Sequence, residues 1–144
     1  MSKLPVVEIR RREDFCAAHR LHAPKMSDAD NLAVYGPCNT LHGHNYSVEA
    51  TVRGVVAPET GMVMNLVDLM RLLKERVIDL VDHKYLNTDV PFLEDVIPTA
   101  ENLAVAFWER LQPEIEKFQG CQLIRIRLYE SQNNVAEYSG QVAT

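Results

Sequence analysis

A chain of 144 residues with 47% apolar and 24% charged side chains is long enough to bury a core as one domain, residues 1–144, without disulfide or metal staples. No apolar run approaches the roughly 20 residues needed to cross a bilayer, and a formal net charge of -5 lacks the basic excess of a surface that tracks nucleic-acid phosphates. Membrane and nucleic acid are therefore excluded as expected partners. The N-terminus MSKLPVVEIRRRED has neither a secretory signal nor an anchor, and Cys16, Cys38 and Cys121 are an odd, scattered set, so a reducing, cytoplasmic location is expected.

Residues 6–19 are rich in strand formers and hold no Gly or Pro, and Phe15, Ala17 and His19 share one side of a period-2 pattern, which predicts a first strand. The run Arg10, Arg11, Arg12 reads as a solvated strand edge. From Pro24 to Pro37 the composition turns to Asp, Asn, Gly and Pro, a long connection of the kind that is functional or mobile. Residues 44–53 alternate, with Tyr46, Val48, Ala50 and Val52 against Ser47, Glu49, Thr51 and Arg53, and form the second predicted strand. After a turn at residues 57–61, Asn65 caps a helix with Asp68 in its first turn. Leu66, Met70, Leu73, Val77, Leu80 and Val81 give this helix one buried stripe to about residue 81.

Thr99 is the N-cap of a second helix marked by Leu103, Phe107, Leu111 and Ile115, which Pro113 ends or kinks near its last turns. Alternation returns at residues 121–130, and 134–140 makes a short last strand. The order β-β-α-α-β-β predicts an α+β domain, a four-stranded antiparallel sheet with two helices on one face.

The chemistry concentrates at His42-Gly43-His44, where period-2 geometry puts two imidazoles on one face about 6.5 to 7 Å apart. Gly43 lets the backbone approach a metal or ligand closely. His19 ends the first strand on the parity of Phe15 and Ala17, so pairing of the two strands would bring three imidazoles together. Three neutral histidines with no fourth protein ligand describe a catalytic zinc site with an open position. His22 is a competing ligand whose other reading is structural. Cys38, four residues before His42, would close the tetrahedron if it were a ligand; a free thiol beside a cation instead has a lowered pKa and serves as base or nucleophile. A buried, inert cysteine is the bland alternative, and it fits Cys16 and Cys121 better. Asp82-His83 falls at a helix C-terminus, where a charged His is favoured. Glu130, on the parity of Ile126 and Leu128, heads for an interior, where the N–H groups of a bound heterocycle could partner it.

The segments FCAAHRL (15–21), GPCNTLHGHNY (36–46), TGMVMNLVDL (60–69), DHKYLN (82–87), PTAEN (98–102) and YESQNN (129–134) together make the chain resemble the 6-pyruvoyl-tetrahydropterin synthase family over nearly its whole length. The resemblance implies a tunnelling fold, with trimers that close a barrel and stack as a homo-hexamer, a dimer of trimers with active sites at subunit interfaces. It implies Zn2+ held by His19, His42 and His44, and Cys38 as general base. It also implies Asp82 and His83 as a relay from a neighbouring subunit, and Glu130 with Thr99 as pterin anchors. The implied reaction converts a small-molecule pterin triphosphate, 7,8-dihydroneopterin triphosphate, into 6-pyruvoyl-tetrahydropterin with elimination of triphosphate.

Two other readings compete with this one. The 6-carboxytetrahydropterin synthase branch of the queuosine pathway uses the same zinc and substrate but releases acetaldehyde, and the short spacing from Cys38 to His42 is similar to that branch. MVMNLVDL, DHKYLNTDVPF and ESQNN resemble the pyruvoyl branch and cover more chain, while Ala100 stands where a second threonine is expected. A non-catalytic zinc- and pterin-binding module is the other reading, and the joint presence of Cys38, Asp82, His83 and Glu130 argues against it.

Overall fold

The computed structural model describes residues 3–144. Two 14-residue strands, β1 (Val6–His19) and β2 (His42–Val55), pair antiparallel along their whole length, from Val6 opposite Val55 to His19 opposite His42. β4 (Gln122–Tyr129) pairs antiparallel with β2, and β5 (Val135–Tyr138) pairs antiparallel with β4. The β4–β5 turn is closed by Ser131 Oγ, which accepts from the N–H groups of Asn133 and Asn134.

The sheet has five strands rather than the expected four, in the order β3-β1-β2-β4-β5, and it is not wholly antiparallel. β3 is only Lys84–Tyr85 and runs parallel to the end of β1. Two residues cannot display an alternation, so the pairing rests on backbone bonds, such as Leu86 N–H to the Ala18 carbonyl at 2.9 Å, that no side-chain pattern announces.

The helices also exceed the expected two. α1 (Asp28–Tyr35) occupies the stretch read as a long connection, with Ser27 Oγ as its N-cap. It has no buried apolar stripe; Leu32 and Val34 are exposed. Its anchor is polar instead: Asn31 is fully buried, accepts from Ala23 N–H, and donates to the carbonyls of Ala23, Met26 and Ser27. Hydrophobic periodicity cannot detect a helix held this way. α2 (Leu66–Leu73), capped by Asn65, runs into a π-helical turn, Lys74–Ile78, and then into α3 (Asp79–Val81). The end near residue 81 agrees with the periodicity. The buried face agrees at Leu73, Val77 and Val81 but differs elsewhere, because Leu69, Leu72 and Ile78 are also buried while Leu66 is 50% exposed. Within the wider π turn the adjacent Val77 and Ile78 are both buried. α4 (Ala100–Ile115) is capped by Thr99, buries Leu103, Phe107, Leu111 and Ile115, and continues two residues past Pro113.

One apolar cluster joins the helices to the sheet. Under the ends of β1 and β2, Phe15 stacks on Tyr46 with ring centroids 4.7 Å apart, and Phe107 of α4 meets Phe15 edge-on at 6.0 Å. This aromatic floor positions the strand ends that carry the histidines. The opposite sheet face is charged, yet Ser47, Glu49 and Thr51 are buried there too, because Arg10, Arg127 and the Tyr129 hydroxyl gather over Glu49. Among the described residues no helix is long and apolar enough to cross a membrane.

Candidate metal centre and the adjoining pocket

β1 ends and β2 begins at the same point of the sheet, so His19 and His42 face each other across the ladder and His44 follows two residues on. One ligand atom from each of the three imidazoles lies within 4.8 Å of the others, and no cysteine or carboxylate belongs to the group among the described residues. Gly43 sits with its backbone tight against β1: a Cβ there would lie 3.2 Å from the Ala17 carbonyl oxygen.

The hydrogen bonds behind the rings determine what the rings can do. His19 Nδ1 donates to the Pro98 carbonyl at 2.8 Å, and His42 Nδ1 donates to the Thr40 carbonyl at 2.6 Å. A carbonyl can only accept, so both protons are committed to Nδ1 and both Nε2 atoms present lone pairs. Those two Nε2 atoms stand 3.0 Å apart. The buried Nε2 of His44 has no hydrogen-bond partner. Converging lone pairs repel unless a cation stands between them, and neutral imidazoles backed by carbonyl acceptors are the ordinary support of a metal-bound histidine. The residues present therefore fit a metal ion.

Burial, with the other imidazoles adding to it, holds the His19 pKa below its ordinary value, and burial does the same for His44 against the opposing pull of Glu130. Below the unfolded-state value near 6.5 the unfolded chain then binds more protons than the folded one, so the stability of metal-free protein falls as pH drops through that value. We expect its melting temperature to fall between about pH 7.5 and 5.5, a window above the carboxylate range, and zinc to delay the fall because metal and protons compete for the same nitrogens. A melting temperature that rose toward acid in metal-free protein would contradict this.

Glu130 approaches the cluster, with Oε1 3.9 Å from His44 Nε2. It also lines a cavity of about 760 Å³ with Leu21, Tyr35, Thr99, Ala100 and Glu101, a volume in the range of small-molecule sites. Thr99 reaches the same wall with its Oγ1 already accepting from Asn102 N–H at 3.1 Å, which leaves its hydroxyl proton for a ligand. Pro98, whose carbonyl holds His19, immediately precedes it. Ala100, in place of a second hydroxyl, also faces the cavity.

Cys38 lies in the 3-10 turn Gly36–Asn39, exposed, its carbonyl accepting from Leu21 N–H at 2.9 Å. His22 stands apart from the imidazole group, with Nδ1 3.4 Å from Asn39 Nδ2. Asp82 and His83 are not brought to the cluster of their own chain. Asp82 Oδ1 accepts from Cys16 N–H at 2.9 Å and lies 3.0 Å from His83 Nδ1, and the His83 side chain is 80% exposed. The Cys16 N–H holds the Asp82 carboxyl below its usual range. His83 has a φ of 60°, a left-handed conformation that costs a non-glycine residue and recurs at functional positions. Cys121 is buried as expected, its Sγ donating to the Val63 carbonyl. Cys16 is exposed, against the reading of it as a buried thiol, because its parity is opposite to that of Phe15 and Ala17.

Sequence reasoning did not single out Tyr46, although it shares the parity of His42 and His44. Its buried hydroxyl is 3.3 Å from His19 Nδ1, and burial together with the Glu130 charge raises its pKa and keeps the phenol neutral. The carbonyls of Thr40 and Pro98 leave no trace in residue type.

The family model for 6-pyruvoyl tetrahydropterin synthase matches residues 8–141. The 6-pyruvoyl tetrahydrobiopterin synthase of Homo sapiens is 43% identical over 136 residues, covering 93% of this chain and 92% of that protein. The protein of the same name in Drosophila melanogaster is 42% identical over 142 residues, covering 97% and 83%. The structure of Caenorhabditis elegans 6-pyruvoyl tetrahydropterin synthase matches with a TM-score of 0.89 at 37% identity, covering 98% of this chain and 100% of that one. With the family model spanning nearly the whole chain and such relatives sharing about two residues in five, the chain belongs to the 6-pyruvoyl tetrahydropterin synthase family.

Proposed function

We propose that this protein is a zinc-dependent lyase that converts 7,8-dihydroneopterin triphosphate into 6-pyruvoyl-tetrahydropterin with elimination of triphosphate. The observation that carries the reading is the convergence of three imidazoles, with lone pairs facing inward, beside a cavity walled by Glu130. Zinc bound there supplies Lewis-acid polarisation of substrate side-chain oxygens, which acidifies the adjacent C–H. His19, His42 and His44 hold the ion. Glu130 accepts hydrogen bonds from the pterin N–H groups, and the Thr99 hydroxyl donates to the ring, so the heterocycle is anchored beside the imidazole cluster. Cys38 takes the proton. Asp82 orients His83, and the pair serves a neighbouring subunit's site in a hexamer, which accords with their standing outside the imidazole group of their own chain and with the exposure of His83. A cytoplasmic location goes with this reading.

Incubating zinc-loaded protein with dihydroneopterin triphosphate should release triphosphate and yield a product with the mass of the pyruvoyl compound, from a particle that sediments near six chain masses. Acetaldehyde release would transfer the protein to the carboxy branch, and pterin binding without turnover would make it a binding module. Full turnover by a monomer would remove the interface relay.

A further inference from the structure

Beyond His19 the chain leaves β1, and the next residues have no strand beside them. Side chains satisfy their backbone groups instead. The carboxamide of Asn87 takes both backbone polar groups of Arg20: Arg20 N–H donates to Asn87 Oδ1 at 2.9 Å, and Asn87 Nδ2 donates to the Arg20 carbonyl at 2.7 Å. It thus continues the β1–β3 pairing by one step with a side chain in place of a strand. On the other side, Leu21 N–H donates to the Cys38 carbonyl at 2.9 Å, and Asn39 Nδ2 donates to the Leu21 carbonyl at 2.9 Å. Arg20 Nε donates to the Asn39 carbonyl at 2.6 Å.

The Arg20–Leu21 strip is therefore held from one side by Asn87 and holds Cys38 and Asn39 from the other. His19 does not depend on it, because its ring is tied to Pro98 and its backbone to the β2 ladder. We infer that Asn87 is a positioning residue for Cys38, acting through the Arg20–Leu21 strip to fix the thiol relative to the imidazole cluster. The inference rests on the reading of Cys38 as the proton-transfer group. Its physical content is that proton transfer is sensitive to sub-ångström placement, whereas metal binding by an independently supported cluster is not.

A double-mutant cycle on the zinc-loaded protein tests it. Asn87→Ala should lower kcat about tenfold, within the 10² that a displacement of about 1 Å costs, with KM for dihydroneopterin triphosphate and zinc content unchanged. In a Cys38→Ala background the same substitution should change the residual turnover by less than about twofold. An unchanged kcat, a loss of zinc, or the same tenfold fall without Cys38 would each overturn the inference. Failure of the underlying reading is seen separately, as full activity in Cys38→Ala alone. Should Asn87→Ala not fold, Asn39→Ala enters the same cycle from the other side of the strip. If neither folds, the carboxamides hold the fold rather than the thiol, and the inference is wrong.

Discussion

His44→Ala should empty the metal site and reduce turnover by at least about 10³-fold, the rate equivalent of several kcal/mol of lost charge stabilisation. Among the three imidazoles His44 gives the cleanest test. His19 is buried and bonded to Pro98, so its removal also leaves a cavity and an unpaired carbonyl, whereas the His44 Nε2 has no hydrogen-bond partner to lose. With Ala at position 44 two ligands remain, fewer than the three of an open catalytic zinc site. Metal analysis after gel filtration should show a fall from about one zinc per chain to near none, with a folded protein by circular dichroism. Retention of full zinc by the variant would mean that the convergence of the rings serves something other than a metal.

Cys38→Ala should do the reverse, keeping zinc and pterin binding while turnover falls by about 10² to 10⁴, the usual contribution of a positioned proton-transfer group. The thiol lies outside the group of converging ligand atoms, exposed in its own turn, so its loss touches neither the metal shell nor Glu130. The turn itself persists, because what ties it to Leu21 is the Cys38 carbonyl, which alanine retains. Zinc and activity lost together would make Cys38 a ligand. Full activity would pass the proton to another group, with His83 the first candidate.

These two variants separate binding from proton transfer within one small region, and the difference follows from how each residue is supported. The imidazoles sit on long paired strands with carbonyls behind two of them. The thiol sits on a turn held by the Arg20–Leu21 strip. Rigid elements fix ligand geometry, and loops carry groups whose placement is adjustable.

Residue types and their periods were enough to read the first strand to its bounds, most of β2 and β4, the Thr99 cap with the apolar stripe of α4, and the shared face of His19, His42 and His44. In each of these the relevant groups are side chains repeating at a period of 2 or 3.6, and burying one face compels the register. Tertiary structure alone decided other features. β3 exists because two residues find free backbone groups at the edge of β1, and α1 exists because one buried asparagine answers three carbonyls and an amide. The π turn at Lys74–Ile78 is likewise announced by no side-chain period. The same holds for the tautomers of His19 and His42, set by the carbonyls of Pro98 and Thr40, and for the Asn87 clamp on Arg20. Backbone carbonyls and amides are identical at every position, so which of them meets a given side chain is determined only when distant segments are folded together.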